Sequence, residues 1–197
     1  MTRRLLFAGL LAGLVALAIQ AAPPPPAPTT FAIDSGHSSA LFRISHLDVG
    51  AFWGRFNEIK GQVLWDDQNP AAGSVEVEIP VASVDSNDEK RDQHLKSPDF
   101  FNVRQFPVMS FKSSKIEKKG ERFHVTGSLS LRGKTQTITA EVSKLGEKDC
   151  GKRFGYRAAW EATFTLKRTD FGMSYGVEQG ILGDEVRVTL ALEGVRK

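Results

Sequence analysis

The stretch "RFHVTGSLSLRGKTQTITAEV", residues Arg122–Val142, decides the fold. Phe123, Val125, Gly127, Leu129 and Leu131 fall on alternate positions, and so do Ile138, Ala140 and Val142. Arg132-Gly133-Lys134 stands between the two runs as a turn signal. A side-chain period of two means a strand with one buried face, and two such runs around a turn mean an antiparallel hairpin. The pattern continues to either side. Ala40, Phe42 and Ile44 share one face of "SALFRIS", and Val75, Val77 and Ile79 oppose Glu76 and Glu78. Further on, Tyr156, Ala158, Trp160, Ala162, Phe164 and Leu166 alternate, and so do Val186, Val188, Leu190 and Leu192. The reading is an all-β chain of eight or nine antiparallel strands, with no repeat of fixed period.

One segment breaks the alternation. "NDEKRDQHLKS", residues 87–97, has no β-branched residue and is rich in helix formers. Ser86 or Asn87 is placed to cap it, Asp88 and Glu89 suit the positive end of the helix dipole, and Pro98 stops it. The adjacent Phe100 and Phe101 follow. This predicts one short helix inserted among the strands, charged outside and ending in an aromatic plug. Such a segment suits a cap over a barrel end, with Arg91, Asp92 and Lys96 fixing the helix in place.

The N-terminus speaks to compartment. Arg3 and Arg4 precede a run of fifteen apolar or small residues, Leu5–Ile19, and then small residues and prolines. That is the order of a cleavable secretory signal, and the run is shorter than the roughly 20 residues of a spanning helix. Residues 1–21 are read as a signal peptide cut after Ala21, 22–30 as a stiff Pro-rich leader outside any core, and 31–197 as one β-barrel domain. The expected location is the periplasm or the medium. Without Arg3 and Arg4 the chain carries 24 basic against 23 acidic side chains, so its charge gives no footprint for nucleic acid. The single cysteine, Cys150, forbids an internal disulfide, leaving the core to hold the fold.

No chemistry of the catalytic kind stands out. The four histidines, His37, His46, His94 and His124, lack HxH or HExxH spacing, and only His37 and His46 are placed to meet across a hairpin. There is no GxSxG elbow and no phosphate-cradling glycine loop. Asp92 and His94, two apart on a helix, point away from each other. The expectation is no enzyme, no metal and no cofactor.

Several motifs in order then resemble one family. "IDSGHSSALFRISHLDVGAFWGRFNEIKGQVLWD" resembles the opening of the YceI-like family through Asp34, His37, Ser38, Phe42, Ile44, His46, Gly54 and Phe56. "SVDSNDEKRDQHLKSPDFFNVRQFP" looks like its most recognisable stretch, although Asn102 stands where an acid is expected. Gly127, Gly133, Arg168, Asp170, Phe171 and Gly172 match later motifs, and "LGDEVRVTLALEG" fits the end. The resemblance covers Phe31–Gly194.

It implies an extended, lipocalin-like antiparallel barrel with an elongated apolar lumen that binds a polyisoprenoid or other long-chain lipid. The chain would then be a periplasmic carrier, monomeric or homodimeric, compatible with transient membrane contact. The lumen candidates are Phe42, Ile44, Phe56, Val63, Val77, Ile79, Phe100, Phe101, Phe111, Leu129, Ile138, Phe164, Val188 and Leu190. His46 and Arg168 are candidates for a head group at the mouth, although His46 reads more as a buried structural histidine and Arg168 is equally placed to hold Asp170. A barrel of about eight strands can fill its interior or hold one slender ligand. Two other readings stand beside the carrier: a protein-binding or stress-response module with a plain core, and a small lipid-modifying enzyme. An outer-membrane barrel is excluded by the outward charges of Glu76, Glu78, Lys112, Glu141 and Arg187.

Overall fold

The computed structural model describes residues 27–197, so the expected signal peptide and most of the leader lie outside it. Eleven strand segments and one α-helix follow in the order β1 (Thr29–Ile33), β2 (Ser39–His46), β3 (Gly50–Phe56), β4 (Lys60–Trp65), β5 (Ser74–Pro80), β6 (Val84–Asp85), α1 (Glu89–Lys96), β7 (Val108–Lys119), β8 (Arg122–Leu131), β9 (Lys134–Asp149), β10 (Tyr156–Lys167) and β11 (Leu182–Arg196). The eleven segments occupy only eight places in a closed antiparallel barrel, because three long strands are broken. Strand β11 pairs with β2 near its start, at Leu182–Ala191, and with β1 near its end, at Gly194–Arg196. In the same way β3 and β4 run in line beside β2 and β1, and β5 and β6 run in line beside β4 and β3. From β5 the ring continues through β7, β8, β9 and β10 to β11. The expected count of eight or nine strands holds as barrel places.

The alternation read from the sequence sets the inner face. The Arg122–Val142 hairpin pairs Phe123 with Val142, Val125 with Ala140 and Leu129 with Gln136. Phe123, Val125, Leu129, Leu131, Ala140 and Val142 are all buried. One boundary moves. Thr29 and Thr30, assigned to the leader, begin β1 and pair with Trp65 and Leu64, since their β-branched side chains fit a pleated edge.

The helix forms where expected but starts later. Asp88, and neither Ser86 nor Asn87, is its cap, accepting from Arg91 N at 2.8 Å. Asn87 instead takes a left-handed φ of 61° that turns the chain into the helix, a conformation asparagine tolerates. Ser86 is buried beneath the first turn, where its backbone N–H donates to Asp92 at 2.8 Å and its hydroxyl donates to the same carboxylate. So Asp92 does fix the helix in place.

The two ends of the barrel differ. Turns 47–49 and 132–133, the loop from β10 to β11 and the α1 segment gather at one end. The other end carries the β7–β8 and β9–β10 turns and both ends of the described chain, where Lys197 N donates to Thr30 O at 3.0 Å. There four aromatic side chains from four strands interlock. Phe31 meets Trp160 edge to face at 5.4 Å, Trp65 meets Phe123 at 4.8 Å, and the two indoles lie 5.6 Å apart. This end is solid.

Candidate functional site

Above the aromatic floor the barrel is hollow. A cavity of about 510 Å³ runs from Trp65 and Trp160 up to α1, within the roughly 300–1,000 Å³ typical of ligand sites. Every lumen candidate lines it: Phe42, Ile44, Phe56, Val63, Val77, Ile79, Phe100, Phe101, Phe111, Leu129, Ile138, Phe164, Val188 and Leu190. Val63 sits lowest, paired with Phe31 at the floor and itself fully buried. Phe42, Phe111, Ile138, Phe164, Val188 and Leu190 are only partly buried although they face inward, because what they expose is lumen surface.

Two glycines explain why aromatic residues here do not fill the space. A Cβ on Gly54 would stand 2.2 Å from the Phe42 ring, and one on Gly127 would stand 2.6 Å from the Phe111 ring. Each ring therefore lies flat along a neighbouring strand that lacks a side chain, and the lumen stays open beside it.

The exposed members of the lining mark the mouth. They are His46, Gly50 and Ala51 at the β2–β3 hairpin, Arg91 on α1, and Tyr175 and Ile181 in the loop before β11. Leu47 and Val49 extend the rim outward, at 54% and 91% exposure. Phe100 and Phe101 both line the cavity and do different work. Phe100 forms a collar with His94 and Tyr175, at 4.9 and 5.3 Å, whereas Phe101 sets its edge on Phe56 at 5.4 Å. Beneath them Leu129, Leu131, Phe171 and Met173 make a second buried cluster that carries the cap.

The head-group candidates separate. Arg168 is 3% exposed, and its guanidinium donates to the carbonyls of Gly183, Met173, Tyr175 and Leu182 at 2.8–3.1 Å. Burial draws its pKa below the ordinary arginine value, opposed by Asp184. It pins the loop to β11 and does not hold Asp170. His46, read more as a buried structural histidine than as a ligand contact, is instead exposed at the rim, and among the described residues its ring has no hydrogen-bond partner. The polar residue that the sequence reading missed is Arg91. It lines the mouth with its guanidinium 4.3 Å above the Phe52 ring. Tyr175, Trp65 and Trp160 are also lining residues left off the candidate set. Period two would have found both tryptophans, Trp65 in step with Val63 and Trp160 in step with Phe164, but no periodicity marks Arg91 or Tyr175.

A separate titratable cluster lies at the β1–β2 break. His37 precedes β2 and His46 ends it, so the two lie at opposite ends of the strand and do not meet across a hairpin. Asp34, His37 and Glu193 converge at the break between β1 and β2, but Arg157 already bridges the two carboxylates. Arg157 and then His37 hold the Asp34 carboxyl below its ordinary pKa. This cluster ties β10, β11 and the β1–β2 break together away from the lumen.

Comparison with known proteins agrees with this architecture. The YceI-like domain matches residues 31–194. A UPF0312 protein of Pseudomonas aeruginosa strain LESB58 is 38% identical over 161 residues, 82% of this chain and 83% of that one. A UPF0312 protein of Yersinia enterocolitica is 40% identical over 160 residues, 81% of this chain and 82% of the other. Among solved structures, Burkholderia cenocepacia BcnA superposes with a TM-score of 0.74 at 26% identity, covering 82% of this chain and 98% of BcnA. A polyisoprenoid binding domain from Saccharophagus degradans shares the fold, with a TM-score of 0.65 at 16% identity over 86% of this chain and 99% of that domain.

Proposed function

This chain belongs to the YceI-like family, and we propose that it is a non-catalytic carrier of a long-chain polyisoprenoid or similar amphiphilic lipid held in the barrel lumen. The observation that carries the reading is the hollow itself: about 510 Å³ of space walled by Phe, Val, Ile, Leu and Met, with polar lining side chains gathered toward one end. A plain core would have filled that volume, as it fills the other end. Each buried CH₂ is worth about 0.8 kcal/mol, so a chain of about forty carbons has almost no free population in water. A soluble shield is what such a molecule needs to cross an aqueous space. The solved domain of the same fold from Saccharophagus degradans is described as polyisoprenoid binding, which is in keeping with this reading.

The carrier works outside the cytoplasm, as the Arg3-Arg4 and Leu5–Ile19 order implies, and the mature chain begins near Ala22. It loads from a bilayer by touching it with the rim of Leu47, Val49, Tyr175 and Ile181, apolar side chains that continue the lumen wall outward. The test is organic extraction of protein purified without detergent, followed by mass spectrometry. A prenyl lipid in stoichiometric amount is the expected result. An empty lumen that also refuses added prenyl lipid would overturn the reading.

A further inference from the structure

We infer that Arg91 is the head-group residue of the tunnel and selects lipids ending in an oxyanion over the same chain ending in a neutral group. This rests on the carrier reading above. Arg91 is the cation that lines the mouth with donor capacity left over. Its Nε donates to Ser86 Oγ at 2.9 Å and its Nη2 donates to the Ser86 carbonyl at 2.6 Å. Among the described residues its Nη1 has no protein partner. The guanidinium plane is held against the Phe52 ring, so the free edge is already oriented before any ligand arrives. Ser86 is a positioning residue here. It is buried, and its hydroxyl accepts from Arg91 while donating to Asp92, which locks the direction of both bonds.

The contrast with Arg168 sharpens the assignment, because that guanidinium is 3% exposed and spends four of its five N–H donors on carbonyls. On the same β2–β3 hairpin that carries Phe52, His46 presents a ring nitrogen with no partner among the described residues. His94 is already engaged with Asp99 at 2.9 Å. An arginine fork with an open edge matches phosphate or carboxylate oxygens, and its bonds to an ionised acceptor are about twice as strong as those to a neutral one. A terminal phosphate at the mouth would keep its second face in water while its chain lies in the lumen.

The experiment compares geranylgeranyl monophosphate with geranylgeraniol as displacers of Nile red from the purified, delipidated protein. The phosphate should bind roughly ten-fold more tightly than the alcohol, the size expected of one charge-assisted bond. In Arg91→Gln the two should converge to within about two-fold, with the alcohol unchanged, and Arg91→Lys should restore part of the preference. Ser86→Ala should lower the preference without lowering affinity for the alcohol. If the native protein binds both probes equally, or if Arg91→Gln keeps the preference, the head-group assignment is wrong and the carrier reading stands. If neither probe displaces the dye, the carrier reading itself fails. Should Arg91→Gln also lose the alcohol, its lumen has changed and Arg91→Lys decides: retained discrimination supports the assignment, and discrimination lost with the alcohol still bound removes it.

Discussion

The two ends of this barrel are built from the same alternating strands and the same kinds of residue, yet one is solid and the other hollow. At the solid end Phe31, Trp65, Phe123 and Trp160 project toward the axis and interlock edge to face. At the hollow end Phe42 and Phe111 lie back against Gly54 and Gly127. Aromatic content does not distinguish the two; what stands opposite each ring does. A large side chain facing other large side chains becomes core, and a large side chain facing a missing one becomes wall.

The largest expected effect that would break this contrast is on stability. Trp160→Ala, at 2% exposure in the solid end, should cost about 3–5 kcal/mol. Phe164→Ala, whose ring already faces empty space, should cost less than half of that and show instead as lost lipid. Thermal midpoints of the delipidated proteins check it, and equal losses would mean that the hollow half packs as core. Next, replacing Phe100 and Phe101 together with alanine should lower stability by about 3 kcal/mol, mostly through buried Phe100. Lipid retention should fall further than the fold does, and a full lipid complement in the double variant would reduce the cap to surface. A smaller effect is expected from Gly54→Ala, which pushes the Phe42 ring off the wall at a cost of about 1–3 kcal/mol. It should narrow the lumen and reduce bound lipid, whereas Gly146→Ala, with open space around its Cβ position, should do neither.

The smallest effect concerns acid stability at the β1–β2 break. Arg157 holds the Asp34 carboxyl below its usual 3.8. A depressed folded-state pKa stabilises fully above the unfolded value and is lost as pH falls through the folded one. Asp34→Asn should therefore lower the thermal midpoint at pH 7, and the difference should shrink as the pH falls below 3.8 and through the folded-state pKa. A variant equally destabilised at both would place the role of Asp34 in geometry and not in charge.

Period-two alternation made the barrel legible, because one buried face per strand leaves that mark on every residue pair. The same signal marks the inward positions of the strands, since inward is inward whether or not space remains inside, whereas Phe100 and Phe101 follow the helix and carry no such mark. It could not say which inward residues touch one another and which face a void, because that depends on partners across the barrel such as Gly54 opposite Phe42. The helix was visible in composition, but its cap shifted to Asp88 through the backbone turn at Asn87, which composition does not encode. The two arginines show the limit most clearly. Arg168 and Arg91 both sit in short helical stretches of family-like motif, and only the carbonyls around the one and the open edge of the other tell them apart.

Both ends of the described chain meet at the solid pole, where Lys197 N–H reaches the carbonyl of Thr30. Residues 29–197 thus form a nearly closed circuit with a single seam, placed as far from the mouth as the barrel allows. A short linker across that seam and a new opening at the exposed Gly120 turn, also at the solid pole, would give a circular permutant with an undisturbed tunnel. Fusion partners or surface tethers attached at either end of residues 29–197 would likewise point the mouth outward, leaving it free to face whatever the protein is presented to.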